Sequence, residues 1–185
     1  FMLWIILIIV VLLILFIISV YNSLVTLRQR VKNAFGQMDV QLQRRFDLIP
    51  NLVETVKGYM THESDTLAKV TELRTAWAGA KTVDEKAKLD NELSKTLKTI
   101  MAVAEAYPDL KANQNFESLQ NELTETEDKI SYSRQFYNDT VTKYNTKLEL
   151  FPSNIIAGMF HFTAESLFEV DSAEARKNVK VDFNK

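Results

Sequence analysis

Two histidines, His62 and His161, are the chain's only imidazoles, and they lie far apart in the sequence. A di-iron centre in a helical bundle takes Glu-x-x-His pairs, which place two ligands on one helix face. Here Tyr59 and Gly158 stand three residues before the two histidines, so that option fails. The sequence also holds no His-Glu-x-x-His helix for zinc, no Gly-rich phosphate loop and no Gly-x-Ser-x-Gly elbow for a nucleophile. Cysteine is absent, which excludes disulfides, thiolate metal sites, an acylated lipoprotein cysteine and a cysteine nucleophile together. His62 beside Glu63 reads as a solvated helix end. The expectation is a protein that is not an enzyme and has no catalytic, metal or cofactor-binding residues.

The polar residues of interest are those set among apolar stripes. Asp39, Arg44, Arg45, Asp47 and Asn51 form one such group, and Glu122, Arg134, Asn138 and Asn145 a second. Some of them must face inward or against another helix. A carboxylate, guanidinium or amide left unpaired there is costly, so pairing across helices fixes register more than it adds stability. They are expected to form a structural polar network rather than a binding pocket.

Positioning such residues falls to helices. Phe1 to Ile18 is an unbroken apolar run, extended by Ser19, Val20 and Tyr21, long enough to cross a hydrocarbon core of about 30 Å. A cleaved signal peptide needs a basic start, a shorter apolar stretch and a small-residue cleavage site, and the segment has none of them. It reads as a retained single-pass anchor, whose β-branched residues stay helical because lipid offers the backbone no other hydrogen-bond partner. Nothing basic precedes it, whereas Arg28, Arg30 and Lys32 follow. The positive-inside rule then puts the N-terminus outside and the rest in the cytoplasm.

Beyond the anchor the apolar pattern turns periodic with no intervening Gly or Pro, so one helix is expected to run from the membrane into the bundle. Val31, Phe35, Met38, Leu42, Phe46, Ile49, Val53, Val56 and Met60 advance by threes and fours. Pro50 predicts a kink or restart between Asp47 and Asn51. Gly58 and Thr61–Ser64 mark an end, with Ser64 or Thr61 as the next N-cap. A second segment carries Leu67, Val70, Leu73 and Trp77, loosens at Ala78-Gly79-Ala80, resumes with Leu89, Leu93, Leu97, Ile100, Ala104 and Tyr107, and stops at Pro108-Asp109. A third, from about Asn115 to Leu150, has the rhythm of a coiled coil in Phe116, Leu119, Leu123, Ile130, Tyr137, Val141, Tyr144 and Leu148, with Thr126 and Ser133 in the seam.

The predicted organisation is all-α: an N-terminal transmembrane helix (1–21) continuous with an elongated antiparallel helical bundle (22–151), then an aromatic-rich tail (152–185). Only four glycines and three prolines occur, too few for many short strands. One short strand is expected at Val179–Phe183, where apolar residues alternate. The tail either caps the bundle or touches a neighbouring copy or partner, by strand addition or by inserting aromatic side chains; Phe160, Phe162, Phe168, Val179, Val181 and Phe183 are the candidate inter-subunit contacts. Net charge is −2 and mixed in sign, which disfavours nucleic acid as a partner. The expected partners are the lipid bilayer, further copies of the chain in a homo-oligomer, and other membrane proteins.

The stretch from Asn33-Ala34-Phe35 through Asp47-Leu48-Ile49-Pro50-Asn51-Leu52 to Gly58-Tyr59 resembles the signature of bacterial LemA family proteins. The likeness continues in Tyr21-Asn22, Leu119–Leu123, Thr126–Ile130, Arg134, Tyr137-Asn138, Tyr144-Asn145 and Phe151-Pro152-Ser153-Asn154, and so spans essentially the whole chain. Phe35 replaces the common Trp of that pattern, and Phe46 the usual His. Both keep an aromatic, but any role of the His would be lost. The resemblance implies a bacterial membrane anchor with a small outward N-terminus and a long antiparallel helical bundle; it implies neither a reaction nor catalytic residues. Two functions follow as expectations: a self-assembling membrane scaffold, or an adaptor that docks onto another membrane protein such as a protease or envelope-stress component.

Overall fold

The computed structural model describes residues 1–170. Among these, every regular element is a helix: α1 (Met2–Asp47), α2 (Ile49–Val56), α3 (Ser64–Gly79), α4 (Val83–Ala104), α5 (Pro108–Lys111), α6 (Gln114–Glu149) and α7 (Ser153–Met159). The fold is all-α, a helical bundle with a long apolar helix at its N-terminus. The strand expected at Val179–Phe183, with Val179, Val181 and Phe183, lies outside the described residues.

α1 is uninterrupted from the apolar run into the periodic stripe, as the missing break in its sequence requires. The interruption near Pro50 is confined to Leu48. Pro50 sits in the first turn of α2, where its missing N–H is tolerated, and the amides of Leu48 and Leu52 still bond the carbonyls of Arg44 and Leu48 at 3.1 and 3.0 Å. The expected Ser64 or Thr61 cap is not what forms. Glu63 precedes α3 and makes no side-chain cap bond; its carboxylate instead accepts the Tyr107 hydroxyl at 3.1 Å.

The loosening expected at Ala78-Gly79-Ala80 is a full chain reversal between α3 and α4. Thr82 opens α4 with a reciprocal capping box: its hydroxyl accepts the Glu85 amide at 3.2 Å, while the Glu85 carboxylate accepts the amides of Lys81 and Thr82. Those backbone bonds hold the Glu85 carboxyl below its usual range. At the start of α6, Asn113 accepts the amides of Asn115 and Phe116, at 2.8 and 3.2 Å.

The chain divides into two compact units. The first takes Phe1–Gln37 and Ser133–Leu167, hence the start of α1, the end of α6 and α7. Ser23 pairs with Lys147 and the Phe35 ring meets that of Tyr137, so the two helix segments run antiparallel. Leu24, Val31, Ala34, Tyr137, Val141 and Tyr144 are buried between them. The apolar run has no such cover: side chains from Leu3 to Leu15 are all exposed, and this is a helix long and apolar enough to cross a membrane.

The second unit takes Met38–Tyr132 and, of the described residues at the end of the chain, Phe168 to Val170. Gln43 meets Trp77 of α3, Lys69 and Trp77 of α3 meet Glu92 and Lys86 of α4 in reverse order, and α4 and α6 together line a cleft. α3 and α4 therefore run antiparallel, as in an up-and-down bundle. Met38, Leu42, Phe46, Leu52, Val70, Leu93, Ile100, Phe116 and Ile130 fill its core. Of the residues expected to face a core, Phe35 of the first unit and Val53 and Leu89 of the second are half-buried, whereas Ala34 and Leu52 are buried in addition.

Candidate functional site

The second unit centres on charge. Arg45 follows the last core turns of α1 and Asp90 falls on the buried face of α4, between Ala87 and Leu93. Their side chains meet at 2.8 Å, each 3% exposed. Two ions taken out of water need each other, so the pair ties α1 to α4 in one register. Beside it Asp39 binds Lys86 at 2.7 Å, and the Lys86 ammonium also lies 5.1 Å from the Trp77 ring centre. Trp77 stacks on Phe46 with ring centres 4.4 Å apart and donates its indole N–H to Gln43 at 2.9 Å. Arg44, half-buried, reaches Glu122 and Glu125 of α6 at 3.8 and 3.6 Å. Lys129 first, and Arg44 after it, hold the Glu125 carboxyl below its usual range. Arg45 also lines a cleft of about 210 Å³ between α4 and α6, together with Ser94, Lys98, Gln120 and Glu127.

The first unit is fastened by backbone-seeking side chains. Beyond α7 the tail doubles back along α6. Tyr144 donates its hydroxyl to the Thr163 carbonyl at 2.9 Å, and Tyr137 donates to that of Ser166 at 2.8 Å. Asn145 clasps Glu165 from both sides, donating to its carbonyl and accepting its amide, each at 2.9 Å. Burial, then the Glu165 charge, push the Tyr144 phenol up and keep it a donor. Phe160 and Phe162 pack on Tyr21, with ring centres 4.8 and 5.7 Å away, and the Arg28 guanidinium lies 4.9 Å from the Phe162 ring centre.

Of the polar residues singled out in the sequence, Asp39, Arg44, Arg45, Glu122 and Asn145 join helices or fasten the tail. Arg134 and Asn138 are half-buried on α6. Asp47 and Asn51 are exposed; Asp47 bonds Gln43 within its own helix at 2.9 Å, and neither bridges helices. One helical step from the buried Phe46 turns Asp47 toward water. Asp90, Lys86 and Glu125 went unrecognised. Asp90 had a signal in its spacing, since it continues the three-and-four rhythm of Ala87, Leu93 and Leu97. Of the candidate contacts, Phe168 is wholly buried in its own chain, where Asn91 binds the following Glu169 carbonyl at 2.9 Å. Phe160 and Phe162 also engage their own chain first.

His62 and His161 are both exposed, with His161 in a left-handed turn at φ 57° that closes α7. Among the described residues no cluster of three or more His, Asp or Glu side chains could hold a metal ion.

Among the described residues one helix is long and apolar enough to cross a membrane, and it leads into a helical bundle, the make-up of a membrane-associated helical protein. Within it, residues 34–183 match the model of the LemA family, and the chain belongs to that family. It is 25% identical to Protein LemA of Metamycoplasma hominis, over 83% of this chain and 70% of that one. It is also 25% identical to Magnetosome protein MamQ 2 of Paramagnetospirillum magneticum and 21% identical to Magnetosome protein MamQ of Magnetospirillum gryphiswaldense, in both cases over 80% of this chain and 64% of the relative. The chain thus spans less than two thirds of the magnetosome relatives' length.

Proposed function

We propose that the protein is a membrane-anchored scaffold that self-associates into a homo-oligomer, with its N-terminus outside the bacterial cell membrane and its bundle in the cytoplasm. One observation carries the reading: α1 delivers the chain without a break from an apolar stretch whose side chains are exposed among the described residues to the core of a bundle. Uncovered apolar surface of that extent needs lipid or other helices around it. The paired interior charges Arg45–Asp90 and Asp39–Lys86 hold helices in place, which suits a supporting role. The magnetosome relatives are named for a cell structure rather than for a reaction. The sidedness rests on Arg28, Arg30 and Lys32 following the apolar run.

The test is the mass of the protein extracted in mild detergent, measured by light scattering, together with crosslinking in intact membranes. A defined multimer and self-crosslinks are expected. A clean monomer at working concentration defeats the scaffold. A stoichiometric foreign partner replaces it with an adaptor docked on another membrane protein.

A further inference from the structure

The end of the first unit holds apolar surface that the anchor alone does not explain. Residues 150–160 contain no charged side chain. Within them α7 buries Ser153, Ile156 and Ala157 against its own unit. The opposite face of such a short helix would be polar in water. Here it presents Ile155 and Met159 at four-residue spacing, 54% and 58% exposed, and the turn before it adds exposed Leu150 and Phe151, the latter 79% exposed, with exposed Phe160 after it.

The level of this face along α1 says what covers it. The Ser23–Lys147 and Phe35–Tyr137 contacts set the antiparallel register of α1 and α6, so the turn at Leu150-Phe151 comes level with Tyr21. The ring contact of Phe160 with Tyr21 fixes the other end of α7 at the same height. The apolar run of α1 gives way at Tyr21-Asn22-Ser23, and the first charged side chains, Arg28 and Arg30, follow it. Tyr21 therefore stands where hydrocarbon gives way to headgroups, the depth at which aromatic rings collect. Lys147 and Arg28 lie just beyond, at the height of the lipid phosphates.

We infer that α7 and its flanking turn are an interfacial foot: Phe151 of the turn and the Ile155–Met159 face of α7 rest in the headgroup and upper acyl layer of the bilayer that holds the anchor. The occupant is a lipid surface. The inference rests on the anchor reading above and adds a second contact, which sets the tilt of the first unit over the membrane.

The chain has no cysteine, so single nitroxide labels can be placed in the full-length protein at Leu12→Cys, Ile155→Cys and Val40→Cys. All three positions are exposed, so the labels leave the core intact. The protein is reconstituted in phosphatidylcholine–phosphatidylglycerol vesicles, and collisions with oxygen are compared with collisions with a water-soluble nickel chelate. The label at Leu12 should strongly favour oxygen, that at Val40 nickel, and that at Ile155 should show an oxygen-to-nickel ratio several-fold above the Val40 value. An Ile155 ratio equal to that of Val40, with Leu12 still in lipid, overturns the foot and leaves the anchor standing. A label at Ile155 shielded from both reagents, with dipolar broadening that fades on dilution by unlabelled protein, assigns the face to a second copy and overturns it as well. A water-like label at Leu12 removes the anchor, and the foot with it.

Discussion

At the scale of single residues the sharpest feature is the Arg45–Asp90 pair. Removing one partner leaves the other charge buried without compensation, which costs about 3–5 kcal/mol. Asp90→Ala should therefore lower the urea midpoint strongly. The double variant Arg45→Met with Asp90→Leu should recover much of that loss, because similar-sized apolar side chains replace a buried pair at little cost. Equal losses in single and double variants would show that the pair is not coupled. Arg45 was legible as a polar residue against an apolar stripe, but its partner was not. Forty-five positions separate the two, and nothing local to Arg45 says which helix arrives beside it. Asp47 and Asn51 show the reverse. They sit in the same stretch, yet one helical step of 100° decides between core and water, and polar residues beside a stripe are read inward too readily.

At the scale of elements, the apolar rhythm located nearly every buried face but placed a chain reversal poorly. Gly79 alone is tolerated inside a helix at a cost of about 1 kcal/mol, so α3 and α4 read as one loosened segment. The decisive signal was Thr82-Val83-Asp84-Glu85, the pattern of a capping box opening a new helix. That box makes a pH prediction. Glu85 ionises more easily folded than unfolded because the amides of Lys81 and Thr82 bond its charged form. The unfolded chain therefore holds more protons than the folded one in the window between the lowered value and the ordinary 4.5. The stabilisation is present in full above that ordinary value and is lost as pH falls through the lowered one. Glu85→Gln should reduce stability at neutral pH and flatten the acid limb of a plot of Tm against pH; an unchanged slope would show that the box contributes nothing in solution. The turn ending α7 had no sequence signal of this kind. Its left-handed position is occupied by His161 where glycine is usual, with the amides of His161 and Phe162 bonding back to Gly158 and Ala157.

At the scale of the whole molecule, the strongest element is the apolar run, whose side chains are exposed among the described residues. An apolar stretch this long is its own signal, because its meaning depends on length and composition and not on which helix it meets. Assembly is different: copy number is a property of surfaces, and surface residues follow no single rhythm. The two tryptophans allow lipid insertion to be tested directly. Trp4 is 68% exposed within the apolar run, whereas Trp77 is 5% exposed, stacked on Phe46 in the bundle of the second unit. In vesicles of brominated phosphatidylcholine, which quench only rings that touch lipid, the emission of Trp4 should be lost and that of Trp77 kept. Trp4→Phe, a substitution at an uncovered position that keeps the run apolar, should abolish the quenchable fraction and leave the Trp77 signal unchanged. If brominated lipid quenches neither ring in the unaltered protein, the apolar run is covered by something other than lipid. If it quenches the Trp4→Phe variant equally, Trp77 has reached the bilayer, and the bundle lies in the membrane rather than beside it.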